Sequence, residues 1–169
     1  MSMISIRTAT PGDREAIRLV EEHAFGQKAE AGLVDAIVAA GDAVVELVAV
    51  EDGQVVGHVL FSRVFVRGGG ADFPAVALAP LAVEPSFHGT GIGGALIREG
   101  HIRLKSAGEK LAIVLGEPSY YNRFGYTHAR ADGFESDFQC DALQALAWQA
   151  APEAGLLVYA SAFSSELAA

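Results

Sequence analysis

At 169 residues the chain is long enough for one domain with a real core, and 51% apolar against 20% charged residues are globular values, not disordered ones. Its 21 Asp and Glu against 12 Lys and Arg leave a net charge of -9, which argues against a broad nucleic-acid surface, since that needs a positive footprint. Cys140 is the only cysteine, so an intrachain disulfide, a zinc–cysteine cluster and an iron–sulfur centre are excluded.

Residues Ile4 to Thr8 read as a short strand. The start, MSMISIRTATPGDRE, lacks the basic-then-apolar order of a secretory signal, and no apolar run reaches membrane-span length. A cytoplasmic protein with no membrane partner and no metal is therefore expected. Thr10 or Asp13 can cap a helix from about Asp13 to Phe25, whose apolar stripe is Ile17, Val20 and Ala24. A second helical pattern, Ala29 to Ala40, carries Leu33, Ile37 and Val38 and ends at Gly41. Then the period changes: Val44 to Val50 and Val55 to Val66 are strand-like around the turn signal Glu51-Asp52-Gly53-Gln54. Gly68-Gly69-Gly70 breaks the second of them. Val76 to Val83 is almost wholly apolar, as in a central strand covered on both faces. Pro80 inside it cannot donate to a ladder and predicts a bulge.

A helix from about Ile92 to Ala107 and a strand from Leu111 to Leu115 follow, closing one β-helix-β unit. Pro118 starts a short helix ending at Gly125. Tyr126 to His128 and Gly133 to Phe138 are weak strands, Asp141 to Gln149 reads as a helix, and Leu156 to Phe163 reads as the last strand. No repeat or linker interrupts residues 1–169, so a single mixed α/β (α+β) domain is expected.

The most informative stretch is PSFHGTGIGGALIREGHIRLKSA, Pro85 to Ala107, with Gly89, Gly91, Gly93 and Gly94 between the central strand and its helix. Unpaired N–H groups at such a helix start favour an anion, reinforced by the helix dipole. Gly89, Gly91 and Gly94 literally match G-x-G-x-x-G, but the run lies past the midpoint, only one β-helix-β unit surrounds it, and Pro85 to His88 lengthen the turn. These features argue against a dinucleotide fold, and no Lys-Ser or Lys-Thr pair follows to make a triphosphate loop. Glycines at tight turns also serve structure alone.

His88-Gly89-Thr90-Gly91-Ile92-Gly93 resembles the acetyl-coenzyme A signature Q/R-x-x-G-x-G/A of the GCN5-related N-acetyltransferase (GNAT) superfamily, with His88 in place of glutamine or arginine. Tyr121-Asn122-Arg123-Phe124-Gly125-Tyr126 resembles its second signature, Y-x-x-x-G-F/Y, and LAPLAVEPSFHGTGIG is similar to the YhbS-like predicted acetyltransferases. The resemblance implies the acyl-CoA N-acyltransferase fold, a mixed, mostly antiparallel sheet with a bulged central strand flanked by helices. It also implies acetyl-CoA as acyl donor. His88, Gly89, Thr90, Gly91, Ile92, Gly93 and Gly94 would surround the pyrophosphate, with Arg123 as a further contact. Leu81, Ala82 and Val83 would pair through main chain with the pantetheine arm, and an N–H near Leu81 would polarise the thioester oxygen. Tyr121 aligns with the family's general acid, a phenol protonated at neutral pH that can serve a departing thiolate; packing is the plainer role for Tyr121 or its neighbour Tyr120.

For a general base the candidates are Glu84, at the end of the central strand, then Glu21, Glu22, Glu117 and His58, each with an ordinary surface or packing role as the alternative. Cys140 is far from both motifs and is not expected to act as a nucleophile. The implied activity is N-acetyl transfer to a primary amine of a small molecule or peptide. The acidic balance suits a cationic acceptor such as a polyamine, an aminoglycoside or a peptide N-terminus. A non-catalytic acyl-CoA-binding module on the same fold is the alternative, and a homodimer through a sheet edge stays open.

Overall fold

A computed structural model of the chain describes residues 3–167, with side chains described through residue 164; residues 1, 2, 168 and 169 of the expected domain lie outside the described residues. The chain runs β1 (Ile4–Thr8), α1 (Arg14–Phe25), α2 (Ala29–Ala39), β2 (Ala43–Glu51), β3 (Gln54–Gly68), β4 (Ala71–Val83), α3 (Ile92–Ser106) and β5 (Leu111–Leu115). It continues through α4 (Pro118–Tyr121), α5 (His128–Ala131), β6 (Phe134–Glu135), β7 (Leu143–Ala147), β8 (Gly155–Tyr159) and α6 (Ser161–Leu167). One mixed sheet has the order β1-β2-β3-β4-β5-β7, with β8 alongside β3 and β6 alongside β8. Most pairs are antiparallel; β4 with β5 is parallel because α3 carries the chain across, and the short β6–β8 pair is parallel too. Among the described residues no helix is long and apolar enough to cross a membrane.

The long β3 organises the sheet. Its first half pairs with β2 from Gln54 to Ser62, its second half with β8 from Val64 to Arg67, and β4 runs along its other edge from Gly57 to Gly68. Alternation sends Val59 and Phe61 to one face and Leu60 to the other. The first face packs on Leu96, Ile97 and Leu104 of α3; the second packs on Ile17, Leu33, Val34 and Ile37 of α1 and α2. Gly100 lets α3 come close: a Cβ there would lie 2.4 Å from the Phe61 ring. That seating sets the start of α3 beside the end of β4.

The bulge expected at Pro80 is present. Val59 faces Leu81 and Phe61 faces Leu78, so Leu60 alone stands opposite Ala79 and Pro80. Three expectations fail past Gly125. Asp141 to Gln149 is not a helix: its core is strand β7, paired antiparallel with β5 from Leu111↔Ala147 to Leu115↔Leu143. Leu, Gln and Ala favour helix locally, but β5 needs a ladder partner on that side, and the buried sheet overrides the propensity. Tyr126 to His128 holds only one bridge, Thr127 to Ala145, after which Thr127 Oγ1 accepts from Arg130 N at 3.3 Å and starts α5. The last strand ends at Tyr159, with α6 beginning at Ser161.

Candidate active site

The site is made by two strands parting. β4 and β5 pair only from Val76↔Ala112 to Leu78↔Val114. Beyond the bulge β4 continues to Val83 with β3 on one side and, among the described residues, no strand on the other. Glu84 N–H donates to Val56 O at 2.8 Å, so in the alternating ladder Leu81 and Val83 turn their main-chain groups toward the vacant edge. His88 Nε2 donates to Val83 O at 2.8 Å across that edge.

On one side of the parting lies a groove of about 570 Å³. It is lined by Leu81, Ala82 and Val83, by the glycine turn, and by Tyr120, Arg123 and Phe124. The turn works through backbone geometry. Gly89 and Gly91 have φ of 78° and 87°, a region that a side chain strains, and no atom lies within 4 Å of where their Cβ atoms would be. Gly91 is the N-cap of α3, so the first amides of a 15-residue helix open onto the groove. Arg98 stands 5.0 Å over the Phe124 ring; Arg123 is 5.5 Å from the same ring and 4.6 Å from that of Tyr120. Neither guanidinium has an ion-pair partner among the described residues. A concave turn of free amides flanked by two unpaired cations suits a pyrophosphate, and the vacant edge of β4 suits an amide-bearing arm.

On the other side is a cleft of about 410 Å³, reaching from the parted ends of β4 and β5 to α2 and α6. Ala79, Pro80 and Leu81 line it opposite Leu115, Gly116 and Glu117, and Tyr121 faces it. Gly116 makes room for that ring, because a Cβ there would fall 2.4 Å from Tyr121 Cε2. Burial pushes the Tyr121 phenol up to about 12, with Tyr120 adding to the shift. Among the described residues no group hydrogen-bonds its hydroxyl. Tyr120 lines the groove instead, with its hydroxyl 2.7 Å from where a Gly93 Cβ would be. The adjacent tyrosines thus serve different compartments.

Of the residues singled out in the sequence, Leu81, Ala82, Val83, His88, Gly89, Gly91, Ile92, Gly93, Gly94 and Arg123 come together around the groove. Thr90 is not among its lining residues; its hydroxyl donates to Phe87 O and braces the turn. Glu84 lines neither compartment and accepts from His23 Nδ1 at 2.8 Å. Glu21 and His58 are fully buried and also outside the cleft. His58 Nδ1 meets Glu21 Oε2 at 2.6 Å and Nε2 meets Glu46 Oε2 at 2.8 Å, while Arg14 reaches the other oxygen of Glu46. Burial disfavours a charged imidazole, but the two carboxylates outweigh it and His58 is held above its ordinary pKa. This network pins α1 to β2 and β3. Cys140 is exposed, away from both compartments. Sequence reasoning missed Arg98, whose signal was a cation one turn or so beyond the glycines, and the whole far wall of the cleft.

A parted, bulged strand beside a glycine-started helix makes a ligand site built largely of main chain. A family model for the acetyltransferase (GNAT) domain matches residues 5–129. The chain is 38% identical over 142 residues to "Uncharacterized N-acetyltransferase YhbS" of Escherichia coli K12, covering 79% of this chain and 84% of that protein. It is 41% identical over 123 residues to YjhQ of the same organism, covering 71% and 67%. Its fold is similar to a GNAT acetyltransferase of Brucella melitensis solved with acetyl-CoA (TM-score 0.81, 38% identity, 95% and 98% of the two chains). It is also similar to Escherichia coli YhbS solved with CoA (TM-score 0.88, 32% identity, 97% and 93%). The chain belongs to the GNAT family of acetyltransferases.

Proposed function

We propose that the chain transfers the acetyl group of acetyl-CoA to the primary amine of a small molecule or peptide by direct attack, with Tyr121 as general acid. Residues 1–169 then act as one catalytic domain, in the cytoplasm. β1, β7 and the short β6, the outer strands of the sheet, are the edges through which a homodimer would form. Acetyl-CoA supplies the acyl group as an activated thioester. The glycine turn, Arg98 and Arg123 hold phosphate, and the main-chain groups that no strand pairs, those of Leu81 and the N–H of Val83, hold the arm, His88 taking Val83 O. The Leu81 N–H is the donor nearest the bulge for a developing oxyanion. The C–N bond forms as the C–S bond breaks. The acceptor enters as an ammonium, gives one proton to solvent to become the attacking neutral amine, and loses a second to solvent as the amide forms, while Tyr121 gives a proton to the sulfur and recovers it from water.

The observation that carries this reading is the position of Tyr121 in the cleft at the parting of β4 and β5, its phenol kept protonated by burial. No protein group is needed as nucleophile, and Glu84 has no role in the cleft. The non-catalytic alternative needs this cleft closed or its tyrosine turned away.

Calorimetry with acetyl-CoA and thiol release with an amine panel test the proposal. Tyr121→Phe is expected to lower kcat about 100-fold, within the range for a general acid, with acetyl-CoA affinity within about twofold. Because burial pushes the phenol up to about 12, kcat/KM should show no falling limb from it up to about pH 11. No acetyl-CoA binding sinks the donor assignment; an unchanged rate in Tyr121→Phe removes Tyr121 from the mechanism.

A further inference from the structure

The wall of the cleft facing Tyr121 has a chemistry of its own. Phe138, Tyr159 and Phe163 form a continuous aromatic surface, with ring centroids 5.4 Å apart for Phe138 and Tyr159 and 5.5 Å for Tyr159 and Phe163. Among the described residues the cleft's charged lining residues are Glu30 and Glu117, and no Lys, Arg or His lines it. Glu30 is braced by Gln27 at 3.0 Å, and Glu117 accepts from Ser119 Oγ at 3.2 Å. Glu30 stands on α2 and Glu117 at the start of α4, and both line the cleft that the aromatic rings line.

Resting on the proposed N-acetyl transfer, we infer that the acceptor is an arylalkyl monoamine, a single ammonium joined to an aromatic body that carries no carboxylate or phosphate. Each half of that description follows from the lining. An anionic group entering the cleft would meet two carboxylates and no cation, and would be desolvated without a partner. A polyamine or aminoglycoside would press several hydrated ammonium or hydroxyl groups against aromatic rings that cannot hydrogen-bond them as water does. An aromatic body gains ring contact and apolar burial there. A lone ammonium is attracted by Glu30 and Glu117 on entry and by the faces of the rings within. The surface charge of the whole chain pointed to polyamines and aminoglycosides; the cleft itself is mainly apolar. Transfer also favours turnover: the amide product is neutral, so the attraction that drew in the ammonium is gone when acetylation is complete.

The test uses the full chain with phenethylamine, its carboxylated analogue phenylalanine, spermidine and kanamycin. Thiol release should give phenethylamine a kcat/KM at least about tenfold above each of the other three, equivalent to about 1.4 kcal/mol in transition-state binding. Glu30→Gln and Glu117→Gln should each raise KM for phenethylamine severalfold with kcat nearly unchanged. Phe138→Ala should raise KM for phenethylamine but not for ethylamine. Calorimetry of phenethylamine against the CoA-loaded chain gives a second reading that needs no turnover. If acetyl-CoA binds and spermidine, kanamycin or phenylalanine is preferred, the inference fails while the transferase reading stands. If acetyl-CoA does not bind, it is the transferase reading that fails, and the inference falls with it. If the donor binds and no amine turns over, phenethylamine binding to the CoA-loaded chain upholds the acceptor class, and its absence overturns it.

Discussion

The groove and the cleft are two compartments of one parting in the sheet, yet they are built by different means. The groove is largely backbone: positive-φ glycines, the first amides of α3, the vacant edge of β4, and cations at its rim. The cleft is largely side chain: aromatic rings and two carboxylates drawn from α1, α2, the start of α4, the loop before β7, β8 and α6. A surface made of main chain tolerates few substitutions but asks little of residue identity elsewhere. A surface made of side chains can be recut without disturbing the fold. On the proposed function, the difference teaches that donor specificity is a property of backbone and acceptor specificity one of side chains.

The largest expected effect removes what the two compartments share. α1 reaches both through Phe25, and the buried Glu21–His58–Glu46 network holds α1 in place. His58→Leu leaves two buried carboxylates facing each other and should lower stability by about 3 kcal/mol, measured by urea unfolding. The pH dependence carries the same signature. A histidine whose folded pKa lies above its unfolded value, about 6.5, stabilises the fold fully below that value and loses the contribution as pH rises through the folded one. Thermal midpoints of the native chain should therefore decline above about pH 6.5, and this component should vanish in His58→Leu.

Gly91→Val should break the groove alone. A β-branched residue at φ of 87° is strained by about 1–3 kcal/mol, and its methyls enter the groove, where the proposed phosphate would sit. Acetyl-CoA affinity should fall about 100-fold by calorimetry, with phenethylamine binding to the cleft reduced far less. Gly116→Ala should do the converse. Its Cβ displaces the Tyr121 ring, so kcat should drop about tenfold while acetyl-CoA affinity holds. The smallest effect sharpens the groove's electrostatics: Arg98→Ala should weaken acetyl-CoA by severalfold, and the deficit should shrink as salt is added.

The same contrast explains what was legible in the sequence. Donor chemistry is encoded in contiguous residues. Pro80 announced the bulge, Gly89 and Gly91 the turn, and Tyr121 lay in a second short motif, so their placement needed no tertiary information. Arg98 escaped because a cation among others on a helix looks like solvent-facing charge until Phe124 is known to lie beneath it. Glu84 was a candidate base only from its place at the strand end, with a solvated or capping carboxylate as the alternative, and its carboxylate accepts from His23 on α1. The far wall was illegible for a stronger reason. β7 is composed of helix formers and becomes a strand because β5 lacks a neighbour; α6 starts where a strand was expected to continue. Those elements are determined by the rest of the sheet, and Tyr159 and Phe163 reach the cleft only through them.

Phe25 and Leu81 belong to the lining of both compartments. Whatever settles against Leu81 from the groove completes one wall of the cleft, so the two ligands are not independent. Thermodynamic linkage then makes their effects mutual: the factor by which bound CoA tightens an amine is the factor by which that amine tightens CoA. On the proposed function, a partition that two side chains hold in common makes the affinities of donor and acceptor interdependent, whichever binds first.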